Sequence, residues 1–170
     1  QRNQLFENEG AGSFVEVGKV LGPGMQVEKS SRGSAFGDLD NDGDLDIAIV
    51  NIDDTPTLLR NDGGNRNNWL MVRLIDAGNN GDAIGARVTV WRGERRQTRE
   101  VRSGTGYISQ DDMRLHFGLG EMIQADQLVV RWPDGEEQRI AAVAGNRLVT
   151  IRRGVGIVGE GFSAASREVQ

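Results

Sequence analysis

Five aspartates occupy alternate positions in the run FGDLDNDGDLDIAIVN, residues 36–51: Asp38, Asp40, Asp42, Asp44 and Asp46. No lysine or arginine interrupts them, and an apolar segment follows at once. In the pattern D-x-D-x-D-G-D-x-D the side chains at positions 1, 3, 5 and 9 converge if the chain curls tightly. These are Asp38, Asp40, Asp42 and Asp46. Gly43 at position 6 permits the sharp turn. Asp44 at position 7 then offers its backbone carbonyl and leaves its side chain free. An oxygen-only ligand set selects a hard cation, and calcium accepts such irregular sets more readily than magnesium. Two carboxylates ~4 Å apart repel by roughly 1 kcal/mol even at the dielectric of bulk water. A solvated acidic turn is the alternative, but several such pairs would unwind a tight loop with no cation among them. The loop is no EF-hand, because position 12 is Ile49 rather than a carboxylate and the flanks read as strands.

The elements that must carry this loop are strands. SFVEVGKV (13–20) alternates, and DIAIVN (46–51) is a short apolar run. WLMVRLI (69–75), ARVTVW (86–91), MRLHFGL (113–119), QLVVRW (127–132) and RLVTIR (147–152) also read as strands. Turn chemistry separates them at NDGG (61–64), AGNNGD (77–82) and PDGEE (133–137), with a hairpin tip at Gly93. No amphipathic helix stands out. The 24 glycines and 37% apolar content fit an all-β chain with many tight turns. Alternation places Leu70, Val72, Leu74, Val88, Val90, Leu115 and Phe117 in a shared core.

Charge and composition exclude several functions. The net charge is −5, and removing the five loop aspartates leaves 20 acidic against 20 basic residues. The chain is neutral apart from one acidic spot, which argues against a nucleic-acid partner. There is no cysteine, so disulfides, thiolate catalysis and Cys-ligated zinc are ruled out. No apolar run approaches the ~20 residues of a membrane span. The first residue is Gln1 rather than Met, as expected of a processed terminus or part of a longer chain.

LFENEGAGSF (5–14) resembles LLRNDGGNRN (58–67), with Leu5 and Leu58 53 residues apart, a period suited to one blade of a β-propeller. Such a unit cannot bury its apolar face alone. The larger run GSAFGDLDNDGDLDIAIVN…LLRNDGGN resembles the FG-GAP/VCBS repeats of integrin-type β-propellers. The resemblance implies a loop joining the first two strands of a blade and binding Ca²⁺ through Asp38, Asp40, Asp42, Asp44 and Asp46. The stretch from NNWLMVRLI to PDGEEQRI resembles the ASPIC/UnbV domain, which follows such repeats in bacterial proteins and in the cartilage acidic protein family. The resemblance implies no chemistry for that domain.

Three other groups invite a functional reading. His116, the sole histidine, lies in MRLHFGL. Without a G-x-S-x-G elbow or cysteine partners it is expected to be a surface or strand-edge residue, neither catalytic nor a zinc ligand. Arg92, Arg95, Arg96, Arg99 and Arg102 form a basic cluster interleaved with Glu94 and Glu100. It reads as a solvated hairpin with cross-strand ion pairs, or as an anion or protein docking patch. RSGTGYISQDD (102–112) is no P-loop. It is a candidate ligand or partner loop through Ser103, Thr105, Tyr107, Ser109 and Gln110, or a connection whose side chains satisfy its own backbone. Trp69, Trp91 and Trp132 read as strand packing, with a carbohydrate platform as the alternative.

The expected architecture is all-β. Residues 1–66 supply partial propeller-blade material with one Ca²⁺ loop, the end of one blade and most of the next. Residues 67–153 form an antiparallel β-sandwich-like domain, and 154–170 a tail or docking arm. The expected function is a non-catalytic, calcium-stabilised interaction or adhesion module with protein partners in an extracytoplasmic setting (secreted, cell-surface or periplasmic). The alternatives are an accessory structural subunit of a larger, membrane-associated complex, and a glycan-binding or glycan-directed enzyme module.

Overall fold

The computed structural model describes residues 1–163, and they are almost entirely strand and turn. Among them no helix is long and apolar enough to cross a membrane. The N-terminal part begins with a hairpin of β1 (Phe6–Gly10) and β2 (Ser13–Glu16). A three-stranded antiparallel sheet follows: β3 (Ser31–Gly37), β4 (Asp46–Asn51) and β5 (Thr57–Leu59), in the order β3-β4-β5. Gly37 pairs with Asp46, so the aspartate run forms the connection between β3 and β4.

The second part is a sandwich of two four-stranded sheets. Its strands are β6 (Asn68–Ile75), β7 (Arg87–Arg92), β8 (Arg95–Glu100) and β9 (Leu115–Gly120), then β10 (Gln124–Arg131), β11 (Glu137–Ala144), β12 (Arg147–Arg152) and β13 (Gly156–Ser163). One sheet has the order β11-β10-β7-β8 and the other β13-β12-β6-β9. Buried apolar side chains from both sheets form one cluster that contains Leu70, Val72, Leu74, Val88, Val90, Leu115 and Phe117. Alternation alone identified this face, because successive strand residues point to opposite sides.

The sandwich differs from the sequence expectation in two respects. It is not wholly antiparallel: β6 and β12 pair in parallel, Leu70 with Arg147 through Ile75 with Arg152. A parallel pair needs a long crossover, supplied here by everything between the two strands. Residues 156–163, part of the segment 154–170 expected to be a tail or docking arm, form β13 and pair with β12, with bulges at Arg147/Leu148 and Thr150/Ile151. The glycines of this edge strand and its exposed Val158 hide its period. The rest of that segment, 164–170, lies outside the described residues.

β6 is buried on both faces. Leu70, Val72 and Leu74 point into the sandwich core, while Trp69 and Met71 are buried outside that cluster. A strand covered on both sides reads as an unbroken apolar run, which is how WLMV stands in the sequence. Part of the cover over Trp69 is the aspartate loop.

Candidate metal centre

Gly43 has φ +95°, in the left-handed region, and its Cα packs against Trp69. A Cβ at this position would lie 2.0 Å from Trp69 Cε2. Glycine is therefore required twice, for the turn and for close approach to the indole. The loop's own amides wrap Asp38. Asp42 N–H donates to Asp38 Oδ1 and Gly43 N–H to Asp38 Oδ2, each at 2.9 Å. This curl brings one carboxylate oxygen from each of Asp38, Asp40 and Asp42 within 4.8 Å of one another. The three differ in exposure: Asp38 is buried, Asp42 half-buried and Asp40 exposed. Burial pushes the Asp38 carboxyl above its ordinary range, against the pull of the Gly43 amide and Arg114.

Asp44 and Asp46 are held by a second segment, the NDGG turn at 61–64. Asp44 is buried, and its Oδ2 accepts N–H groups from Gly63 at 3.2 Å and Gly64 at 3.0 Å. Its side chain is thus committed to structure rather than free, a departure from the sequence expectation. Burial raises its carboxyl as well, and Oδ1 has no hydrogen-bond partner among the described residues. Asp46 spans the loop base, with Leu39 N–H on Oδ2 and Asn61 N–H on Oδ1, both at 2.9 Å. Each of its oxygens keeps a second lone-pair direction. The NDGG sequence signalled a turn, but its role as amide donor to this loop depends on tertiary placement.

The sandwich closes the other side. His116 Nε2 donates to the Gly43 carbonyl at 2.8 Å, and its ring stacks on Trp69 with centroids 6.2 Å apart and planes 16° apart. His116 is therefore half-buried at an internal junction rather than on the surface. Burial holds its pKa below the ordinary value. Arg114 donates to the Asp38 carbonyl at 2.8 Å and to Asn41 Oδ1 at 2.9 Å, and it pairs with Asp112. Asp111 and Asp112 extend the clamp. Phe36 N–H donates to Asp111 Oδ1 at 2.9 Å, and Asp112 N–H to the Phe36 carbonyl at 2.8 Å.

The other sequence candidates fall as follows. The 102–112 loop folds back on itself through a Gly106–Ser109 bridge, and Asp111 N–H donates to Thr105 Oγ1. Ser103, Thr105, Tyr107 and Gln110 are exposed, while Ser109 is half-buried with Oγ lacking a hydrogen-bond partner among the described residues. The loop also abuts β3, since a Cβ at Gly33 would stand 2.7 Å from the Tyr107 carbonyl. In the β7–β8 hairpin the ion pair formed is Arg87 to Glu100 at 2.9 Å. Arg96 sits over Trp91 and Arg99 over Phe117. Trp69 and Trp132 are buried, which rules them out as a carbohydrate platform.

This geometry coincides with the family comparisons. Residues 1–49 match the family described as FG-GAP-like repeat, and residues 76–158 the family described as ASPIC and UnbV. The chain joins an FG-GAP-like repeat to an ASPIC/UnbV domain. Cartilage acidic protein 1 of Xenopus tropicalis is 33% identical over 144 residues, 79% of this chain and 21% of the relative. The protein of the same name from Homo sapiens is 32% identical over 123 residues, 68% of this chain and 18% of the relative. The chain spans about a fifth of the length of the curated relatives it matches. The aspartate loop belongs to the FG-GAP-like repeat, and its clamp residues Arg114 and His116 to the ASPIC/UnbV sandwich.

Proposed function

We propose that the chain is a non-catalytic interaction module that works outside the cytoplasm, with calcium stabilising the junction between its FG-GAP-like repeat and its ASPIC/UnbV sandwich. The observation that carries this reading is the convergence of Asp38, Asp40 and Asp42 within 4.8 Å on a loop wedged against buried Trp69. The donor set fits a hard cation, being oxygen throughout. Asp38, Asp40 and Asp42 would hold the ion, with Asp46 and the Asp44 carbonyl completing the set. The ion would supply charge neutralisation, so that buried Asp38 can stay ionised. An ion bound only by the folded state adds roughly 2.7 kcal/mol at a hundredfold excess over Kd.

Two observations favour a binding role over an enzymatic one. The sole histidine is committed to the Gly43 carbonyl and the Trp69 ring. The repeat also presents large apolar side chains to solvent, with Phe6 53%, Phe14 60% and Leu58 68% exposed. A repeat unit buries such surface only against a neighbour, so these side chains call for a packing partner, either a further repeat or another protein. Calorimetric titration of the chelated protein with calcium tests the reading. One tight site that disappears in Asp42→Ala supports it, whereas no heat from a folded sample would overturn it.

A further inference from the structure

A cleft of about 670 Å³ opens between β3 of the FG-GAP-like repeat and the β8 side of the sandwich, with the 102–112 loop and the approach to β9 along its rim. Its volume lies within the ~300–1,000 Å³ range of small-molecule sites. The lining is strongly charged, and its charges are unevenly satisfied. Glu100 is paired with Arg87, Asp112 with Arg114, and Asp111 accepts the Phe36 amide. Two of the three lining carboxylates are thus ion-paired, and the third, Asp111, is held by a backbone amide. Arg99 and Arg102 also line the cleft, and among the described residues neither makes an ion pair. Arg99 is steadied from beneath by the buried Phe117 ring, 5.9 Å from its guanidinium carbon.

Two arginines lining one cleft with no ion-pair partner among the described residues offer a recognition element for an oxyanion, because a guanidinium's planar fork matches it in bidentate fashion. The cleft is far larger than one oxyanion requires, and its other surfaces differ in kind. Phe36, 39% exposed, offers an apolar ring face. Thr105 Oγ1 already accepts the Asp111 amide, so its O–H remains to be donated. A ligand that meets all three surfaces carries a negative group, hydroxyls and a C–H face. We infer that this cleft binds an acidic saccharide, its carboxylate held by Arg99 and Arg102 and its hydroxyls and ring face received by Thr105 and Phe36. The cleft borders the aspartate loop through Leu45, Arg114 and His116, but the contacts inferred for the saccharide use none of the loop's carboxylates.

Titration calorimetry of the whole chain, in calcium-containing buffer, tests the inference with three probes: digalacturonate, lactose and inorganic sulfate. Digalacturonate should bind at one site, and lactose and sulfate each at least tenfold more weakly. The Arg99→Gln, Arg102→Gln double variant should weaken digalacturonate at least tenfold while keeping the parent denaturation midpoint, since both side chains are exposed. Absence of digalacturonate binding, or unchanged binding by the double variant, overturns the site. Sulfate binding as tightly as digalacturonate overturns the saccharide assignment. Lactose binding equally well removes the role of the two arginines.

Discussion

The imidazole of His116, on a strand of the sandwich, donates its Nε2 proton to the backbone carbonyl of Gly43, at the crown of the aspartate loop, across 2.8 Å. The loop is therefore not an appendage of the repeat. One wall of the candidate metal centre is the face of β6 and β9, where Trp69, paired with Gly118, and His116, paired with Met71, lie diagonally across the two strands.

Gly43→Ala tests how tightly the loop is seated. The new Cβ would overlap the Trp69 indole, and the backbone would be held at an unfavourable positive φ. Overpacking of this kind costs roughly 1–3 kcal/mol, and the dihedral strain adds to it. The midpoint of urea unfolding should fall sharply. A midpoint equal to the parent's would mean that the loop stands clear of the indole.

Removal of calcium should be felt on both sides of the junction. Chelation with EGTA should raise amide exchange across residues 33–61, and also at Trp69, Arg114 and His116 where the sandwich grips the loop. The core strands should keep their protection. Asp42→Ala should behave like the chelated protein and ignore added calcium. Equal exchange with and without EGTA would remove the structural role assigned to the ion.

The sandwich core carries its own test. Leu115 is buried at 7% exposure in the cluster shared by the two sheets. Leu115→Ala should lower stability by roughly 2–5 kcal/mol, read from chemical denaturation. A negligible change would show that the facing sheets do not meet at this side chain.

His116 sets a pH dependence with a definite sign. Burial lowers its folded pKa from an ordinary value of about 6.5. As pH falls, the unfolded chain takes up the proton before the folded one. Stability present above about pH 6.5 is therefore lost as pH drops from there through the folded pKa. Asp38 and Asp44 act with the opposite sign in the carboxylate range. Their folded pKa values are raised, so in the metal-free protein their contribution is full below the unfolded value of about 3.9 and is lost as pH rises through the folded values. His116→Gln keeps a donor and removes the proton uptake. Urea midpoints between pH 7 and 5 should fall more steeply for the parent than for this variant, and parallel curves would sink the assignment.

Much of the fold was legible because its signals are local. Alternation identified the core side chains of β6, β7 and β9. The spacing pointed to Asp38, Asp40, Asp42 and Asp46 converging; the group within 4.8 Å holds Asp38, Asp40 and Asp42, while Asp46 is taken up by the Leu39 and Asn61 amides. Where two layers share one strand, or a strand sits at an edge, the local signal fails. β11 is mostly exposed and β13 is glycine-rich, so neither shows an apolar period. The clamp of Arg114 and His116 on the loop joins residues more than 70 positions apart, and no local pattern encodes such a meeting. The unbroken WLMV run was its only trace.

The parallel pairing of β6 with β12 has a consequence for how the chain acquires its structure. The strand that opens the sandwich has its inner neighbour at residues 147–152, so the central ladder of that sheet closes a loop of some seventy residues. Loop closure of this length must precede any reward from the contacts it brings together, and such topologies fold slowly. During synthesis β6 would leave the ribosome well before β12 and wait with one backbone edge unpaired, a period in which a chaperone or a second nascent copy could occupy that edge.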